Sequence, residues 1–459
     1  MNKNKLMKHI GIFFTFLLLI SNILIAQNSK DNIDKKTEYL FDKKMYKKVI
    51  FVGENALKEE QDYFNLRYRI AISYYEFKNY RMAIHHLEKA LTFNSDDPAA
   101  LEYLYYAYLF AGRTNDANLL ASKFPDYLKQ IVNYKRKYLS NIYLEGGPSN
   151  SNNISKNGSL DIDSDTSIFG ESDLNANLFY MHLGLKHDLL PQLSIYHGLS
   201  NLSISKRKTI RMNNHDTIFD YTVKQLEYYI NADYQLSKGL KITPAFHFLK
   251  VNADLTNVSY DTLSYKYQYS NSALSLNNYV LSLGITKEYK LFSISAFTTY
   301  SNLNNETQWQ LGATANYFPF GNLDYYSATT LAMLNVKSKG SNQGANSGTG
   351  NRESRLIFDQ LFGVKVLQKL WIEGSFTIGN LANYNEKNAF IVYNIADKIN
   401  FKSGFSLIYT LNSNFELSLR YQFLSRESNY LYYNNSTETT EILTNYQNNT
   451  IIGGIKWKL

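Results

Sequence analysis

Apolar and polar residues alternate with a period of two from about residue 137 to the end of the chain. The clearest segment puts two sets of side chains on opposite faces, apolar Phe415, Leu417, Leu419, Tyr421 and Phe423 against polar Glu416, Ser418, Arg420 and Gln422. The same alternation returns in residues 278–286, 308–317 and 401–411. Because successive side chains of a β-strand point to opposite faces, the pattern predicts a sheet with one apolar and one polar face.

The links between these segments alternate in length. Short turns are predicted at residues 190–192, 237–239, 289–290, 319–322, 368–369 and 412–414. Longer polar links are predicted at residues 149–172, 213–216, 257–266, 301–307, 338–354, 382–398 and 427–440. A soluble β-sandwich also alternates, but short turns on one side and longer loops on the other are typical of an outer-membrane barrel. Residues 137–459 are therefore predicted to form an antiparallel transmembrane β-barrel of about 14 strands.

The two ends of this region are expected to close the barrel. Open sheet edges would leave backbone groups unpaired in hydrocarbon, so residues 138–145 should pair with residues 450–459. The final strand places Ile455, Trp457 and Leu459 on one face. It resembles the terminal strand signal that the barrel-insertion machinery reads, and outer-membrane lipid is the expected surrounding.

Residues 28–136 follow a helical period instead, with a longer repeat of 34 residues superimposed. Corresponding positions are Val49, Ala83 and Ala117, and also Ala56, Ala90 and Phe124. The middle unit resembles the tetratricopeptide repeat, in which small residues let two antiparallel helices cross closely. The prediction is an α + β two-domain chain, with a short all-α tetratricopeptide-like solenoid followed by the barrel. The resemblance implies docking of a periplasmic protein, with Tyr68, Tyr75 and Tyr106 as candidate surface residues.

The first 26 residues have the organisation of a secretory signal peptide. Lys3, Lys5 and Lys8 precede an apolar stretch, and the small Ala26 precedes a polar run. An uncleaved membrane anchor is the alternative, because the apolar stretch runs on to Ile25. The chain has no cysteine, which excludes disulfides, thiolate metal sites and lipoprotein acylation. The expected location is the outer membrane, with the amino-terminal domain in the periplasm.

The polar face of the late strands carries charges of both signs. Its candidate lumen residues are Glu373, Lys402, Glu416, Arg420, Lys456 and Lys458. They form either a charged constriction that acts on a permeating solute or pairs that neutralise one another and stiffen the lumen. The mixed signs favour mutual pairing. A net charge of +8 spread over 459 residues does not indicate a nucleic-acid-binding protein.

Enzymatic motifs and cofactor sites are not recognisable in the sequence. It lacks HExxH, Gly-x-Ser-x-Gly and Walker-type glycine loops. His182, His197 and His247 lie in neighbouring predicted strands, where ordinary barrel positions are favoured over a metal or catalytic cluster. We therefore expect a protein that is not an enzyme and that holds no cofactor.

Two late stretches allow two interpretations each. Residues 338–351 are of low complexity and are predicted to form an exterior loop, with a plug as the alternative. Tyr430, Tyr432 and Tyr433 suit either stacking on sugars or an interfacial aromatic belt.

The order of signal, helical repeats and barrel resembles the outer-membrane proteins that export exopolysaccharides such as poly-N-acetylglucosamine and cellulose. It also resembles the repeat-bearing relatives of the YaiO-type barrels. The resemblance implies a channel or export porin whose repeats dock a partner, with polysaccharide as a candidate solute. The helical arm is much shorter than in those exporters. The alternatives are a membrane-anchored scaffold that recruits periplasmic proteins and, less favoured, a barrel enzyme acting on lipid or glycan.

Overall fold

The chain divides into two compact units, one ending at Tyr134 and the other beginning at Lys135. The computed structural model describes residues 30–151, 167–212, 215–261, 266–337, 352–395, 397–434 and 438–459. The predicted signal peptide and the low-complexity stretch at 338–351 lie outside the described residues, as do the side chains of Tyr430, Tyr432 and Tyr433. Within the described ranges, no helix has both the length and the apolar character needed to cross a bilayer.

The first unit is built of consecutive helices. Residues 30–42 form α1, and the helices that follow are α2 (Tyr46–Lys58), α3 (Phe64–Glu76), α4 (Tyr80–Phe93), α5 (Pro98–Phe110), α6 (Thr114–Ala121) and α7 (Asp126–Ile131). Helices α2, α4 and α6 start 34 residues apart, and so do α3 and α5. The helix starts thus reproduce the period predicted from the sequence.

Small residues let these helices pack closely. Val49, Ala83 and Ala117, which correspond in the repeat, are all fully buried, as predicted. Side chains cap the starts of α4 and α5. The Asn79 carboxamide oxygen and the Asp97 carboxylate oxygen each accept a hydrogen bond from the backbone N–H group three residues later.

The second unit is a closed antiparallel barrel of fourteen strands. Its strands are β1 (Leu139–Ser151), β2 (Ser167–Leu190), β3 (Leu193–Met212), β4 (His215–Ser237), β5 (Leu240–Asp261), β6 (Lys266–Glu288), β7 (Phe292–Leu303), β8 (Glu306–Tyr317), β9 (Tyr325–Lys337), β10 (Arg352–Leu367), β11 (Leu370–Ile378), β14 (Lys398–Thr410), β15 (Phe415–Asn434) and β16 (Glu438–Lys458). Two short strands, β12 (Asn385–Glu386) and β13 (Ile391–Val392), pair only with each other.

The first and last strands close the barrel, as predicted. The β1–β16 register runs from Asn141 opposite Lys458 to Ser151 opposite Asn448. Strand β1 is shorter than β2 and β15, and beyond its carboxyl end β15 pairs directly with β2. The even strand number puts the start of β1 and the end of β16 at one rim, here named the terminal rim. The six predicted short turns all join strands at this rim.

Several links predicted as long loops are continuous strand instead. The link at 257–266 belongs largely to β5 and β6, and the link at 427–440 largely to β15 and β16. The link at 301–307 is a tight hairpin in which Asn304 and Asn305 both have positive φ, the conformation that two-residue turns require. The physical reason is that ladder hydrogen bonds continue in water, so strands of 24 residues such as β2 extend beyond the roughly 9–11 residues that cross a bilayer.

The outer face of the barrel is apolar. Leu417, Leu419 and Tyr421 point outward and are exposed, as the alternation predicted, and Leu311 is 60% exposed. A continuous apolar band of this kind is unsuited to water and suited to lipid. Trp457 and Ile455 of the predicted terminal signal belong to this face, where the Trp457 ring stacks on Phe415 at 5.8 Å. The Leu459 backbone N–H donates to Ser140 at 3.0 Å.

Candidate functional site: a folded segment inside the barrel

Residues 379–395, between β11 and β14, fold into the lumen and are here named the plug. An exterior loop was predicted at 382–398, and that prediction is wrong. Leu381, Tyr384 and Ala389 are buried, and β12 and β13 form a small hairpin within the segment. The segment turns inward because it carries apolar side chains that an exterior loop would expose to water.

The centre of the plug is bound to the wall by a two-way hydrogen bond. The Gln310 Nε2 group donates to the Asn385 carbonyl at 2.8 Å, and the Asn385 N–H donates to Gln310 Oε1 at 3.1 Å. The Asn385 side-chain amide also donates to Thr299 at 3.2 Å. Buried backbone groups need such partners, so these wall side chains make it possible for a β-hairpin to sit in the lumen.

The tip of the plug is strained and held by the wall. Lys387, Asn388 and Ala389 have consecutive φ values of 51°, 54° and 65°, which non-glycine residues rarely adopt. Such residues cost on the order of 1–3 kcal/mol each and persist only when the surroundings fix them. Tyr229 donates to the Asn388 carbonyl at 3.2 Å, and His247 Nδ1 donates to the Ala389 carbonyl at 2.7 Å.

Further polar contacts attach both sides of the plug. The Asn383 amide donates to Glu306 at 2.9 Å, and Asn304 donates to Asn383 at 2.7 Å. On β6, Asn278 donates to Asn394 at 3.2 Å, and on β10 Arg355 donates to the Ala382 carbonyl at 3.0 Å. The plug therefore contacts strands on several sides of the barrel and crosses the lumen.

One aromatic ring anchors the plug tip. Phe390 packs edge-on against His182, Tyr196 and Tyr229, with ring centroids 5.2, 5.9 and 5.2 Å away. The His182 imidazole is itself fixed by Ser200 at 2.9 Å and by Tyr196 at 2.6 Å. The wall of β2 to β4 thus presents a preformed aromatic pocket.

Two cavities remain beside the plug. A cavity of about 390 Å³, the mixed-charge cavity, is lined by charged groups of both signs. Its charged residues are Asp359, Glu373, Glu386, Lys387, Lys402 and Arg420. Lys402 of the wall forms an ion pair with Glu386 of the plug, and the Glu373 carboxylate accepts a hydrogen bond from Tyr326 at 2.5 Å. Most charge here is neutralised locally.

A second cavity of about 480 Å³, the basic cavity, has a different balance. Its cations are Lys186, Lys387, Arg420 and Lys456, and Glu416 is its acidic residue. Its aromatic lining residues are Tyr143, Tyr196, Tyr229 and Phe390. Two of these cations, Arg420 and Lys186, pair with carboxylates outside the lining, and Lys387 is left as the excess cation.

The structure places all six predicted lumen residues on the inner face. Besides the contacts of Glu373 and Lys402, the Arg420 guanidinium lies 3.4 Å from the Glu145 carboxylate. Lys456 and Lys458 lie 4.0 and 3.2 Å from Glu416. The late strands therefore form the charge pairs that mixed signs favour, while Lys387 projects from the plug into both cavities.

The histidines do not form a common site. His182 and His247 face the lumen, whereas His197 faces outward and lies 3.2 Å from His187. Within the described ranges no group of three or more His, Cys, Asp or Glu side chains is arranged to hold a metal ion.

Functional residues missed from the sequence belong mainly to the plug. Glu386, Lys387 and Phe390 lie in a stretch that was interpreted as a polar loop, and the wall residues that Phe390 contacts, such as His182, lie far away in sequence. One signal was available: Leu381, Ile391 and other apolar residues are too frequent in 381–395 for an exterior loop.

The candidate repeat-surface residues lie together on the helical unit. Tyr68 and Tyr75 both contact Tyr103, at 6.4 and 5.0 Å between ring centroids, and Tyr106 stacks on Phe110 at 6.3 Å. Burial raises the pKa of Tyr68 to about 12, so its hydroxyl is a neutral donor at physiological pH. Together with Phe110, which is 46% exposed, these rings form an aromatic patch.

No protein-family model matches the chain, and no curated protein matches it either. Among solved structures it is similar to the toluene transporter TodX of P. putida, with 11% identity and a TM-score of 0.43 over 74% of this chain and 93% of that one. It is similar to a Pseudomonas aeruginosa FadL homologue, with 8% identity and a TM-score of 0.45 over 79% and 94%. For the NanC porin the identity is 10% and the TM-score 0.27, over 64% and 100%.

Proposed function

We propose that the chain is an outer-membrane channel that the plug closes and that opens when the plug leaves its seat. The observation that carries this proposal is the Asn385–Gln310 pair, because it is a polar attachment of a loop segment inside a lumen. Fourteen strands enclose more space than their own side chains fill, so removing the plug leaves a passage.

The nature of the plug contacts supports a removable segment. Hydrogen bonds to Gln310, Tyr229 and His247 can be exchanged for hydrogen bonds to water, so breaking them costs little net free energy for each bond. The strained turn at Lys387 to Ala389 lowers the cost further, because that strain is released when the tip leaves the wall.

The proposed direction of transport is export, and the proposed solute is a polymer. We place the helical unit in the periplasm and the terminal rim on the periplasmic side of the membrane. The opposite ends of the long strands then extend on the cell exterior. Polysaccharide export and membership of the repeat-bearing YaiO-type barrels are supported by the order of the units in the chain. A polymer needs the whole plug to move, whereas a small solute needs only a displaced tip.

Planar-bilayer recording of the purified chain tests the channel. Replacing residues 380–397 by a short Gly-Ser linker should convert rare brief openings into a steady conductance. The linker variant must first show the mobility shift on heating in gels that a folded barrel gives. A folded linker variant that stays silent contradicts the proposal.

A second function, docking of a periplasmic protein on the helical unit, is favoured by the aromatic patch of Tyr68, Tyr75, Tyr106 and Phe110. Aromatic rings with part of their surface exposed are the usual anchors of protein interfaces. A photo-crosslinking residue at Phe110 should capture one dominant partner in intact cells, while the same residue at exposed Tyr127, outside the patch, should not. Equal capture at both positions contradicts docking on the patch.

A further inference from the structure

We propose that the basic cavity binds an acidic sugar, a pyranose ring that carries a carboxylate. This inference rests on the proposed channel and names its solute class. The cavity volume of about 480 Å³ lies in the range of about 300–1,000 Å³ that small-molecule sites occupy.

The charged residues around the basic cavity support an anionic ligand. The cavity is lined by four cations and one acidic residue, and Glu416 lies near two lysines, Lys456 and Lys458. Glu145 and Asp188, outside the lining, compensate Arg420 and Lys186 at 3.4 and 4.0 Å, so that Lys387 is the excess cation. The Lys387 side chain is exposed to the cavity, and among the described residues it has no hydrogen-bond or ion-pair partner. A lysine side chain that has no hydrogen-bonded carboxylate and projects into a confined space is a suitable partner for an anion.

Aromatic rings of the basic cavity support a sugar ring as the ligand. Tyr143, Tyr196 and Phe390 line the same space and are only partly buried, so part of each ring is available to a bound molecule. Flat apolar faces beside polar groups suit a pyranose ring, which has an apolar face and a polar edge.

Hydrogen-bonding capacity separates a sugar acid from an aromatic acid. The side-chain amides of Asn141 and Asn231 line the cavity together with the cations, and the Tyr196 hydroxyl, which also bonds His182 at 2.6 Å, lines it too. Neutral donors and acceptors in this number match the hydroxyl groups of a sugar and have no counterpart on benzoate. The geometry therefore favours a hydroxylated anion.

Calorimetric titration of the detergent-solubilised full chain tests this with three probes. D-glucuronate should give saturable binding, D-glucose should bind about tenfold more weakly because it lacks the charge, and benzoate should bind about tenfold more weakly because it lacks the hydroxyl groups. Glucose that binds as tightly as glucuronate overturns the role of charge. Benzoate that binds as tightly overturns the sugar, and no saturable glucuronate binding overturns the site.

Matched variants locate the binding. Lys387→Gln should weaken glucuronate binding about tenfold, Lys387→Arg should retain it, and Lys250→Gln on the outer face should leave it unchanged. Lys186→Gln on the wall serves as a second test that leaves the plug sequence intact, and it should also weaken binding. Unchanged affinity in both Lys387→Gln and Lys186→Gln overturns the site. A chain that conducts without binding glucuronate refutes only this inference, whereas one that binds without ever conducting refutes the channel.

Discussion

Gln310 of β8 and Asn385 of the plug exchange two hydrogen bonds, one in each direction between a side-chain amide and a backbone peptide group. Both residues are only 1% exposed. The pair resembles one rung of a β-ladder, with a glutamine side chain acting as the neighbouring strand. It therefore attaches an additional hairpin inside a barrel whose own strands are already fully paired.

Gln310→Leu should favour the open channel. Losing a wall partner for buried backbone groups costs about 1–3 kcal/mol, and the cost applies only while the plug is seated. The open fraction in single-channel records should rise roughly 5- to 150-fold. Gln360→Leu is the control, because Gln360 is also buried, at 8% exposure, but bonds Thr329 on the outer face. Equal effects of the two substitutions would show that Gln310 does not hold the plug.

Asn388→Val should also promote opening, through the backbone alone. Asn388 has a φ of 54°, which asparagine tolerates and a β-branched residue does not. The expected penalty on the seated plug is about 1–3 kcal/mol. Asn388→Gly, which accepts this φ without strain, should leave opening rare. The two variants are compared by open fraction at equal voltage, and the idea fails if glycine opens the channel as often as valine.

Arg113→Met should destabilise the helical unit. Arg113 lies 2.8 Å from Asp116, and both side chains are buried, so the substitution removes the cation from a buried carboxylate at a cost of about 3–5 kcal/mol. Lys129→Met is the matched control, since its pair with the exposed Asp126 contributes about 0–1 kcal/mol. Limited proteolysis should cut the Arg113 variant much faster within residues 30–134, while both variants keep a heat-modifiable barrel.

Trp457→Ser should impair assembly of the barrel. Trp457 belongs to the proposed terminal strand signal and stacks on Phe415 across the neighbouring strand. The fraction of chain that shows the heat-modifiable form in cell envelopes should fall several-fold. Trp309→Ser, at another outward tryptophan, should have a smaller effect, and a comparable loss in both variants would argue against a special role for the last strand.

The barrel could be predicted because the patterns that indicate it involve residues close together in the sequence. Alternation in segments such as 415–423 defines the two faces, and turn residues such as Pro191 define the rim. The 34-residue helical repeat is similarly local, since Val49, Ala83 and Ala117 recur at fixed spacing.

The plug could not be predicted in the same way because its stability comes from distant partners. His247 and Ala389 are 142 positions apart, and no periodicity connects them. The plug sequence contains five asparagines and only two very short strands, so its link length and its asparagines matched those of an exterior loop, although its apolar residues did not. The predicted lumen charges lie on the inner face of the barrel, but Glu386 as the partner of Lys402 followed only from the fold.

A disulfide between plug and wall tests the central claim most directly. A Cβ built at Gly284 lies 3.4 Å from the Asn388 Cγ atom, whose position a cysteine sulfur would take, so a disulfide between Gly284→Cys and Asn388→Cys is within reach. The natural chain contains no cysteine to interfere. Planar-bilayer recording should find no openings in the oxidised double variant and the rare brief openings of the natural chain in the same preparation after reductant, with neither single variant responding to reductant. Steady conductance through the oxidised double variant would contradict a plug that closes the lumen.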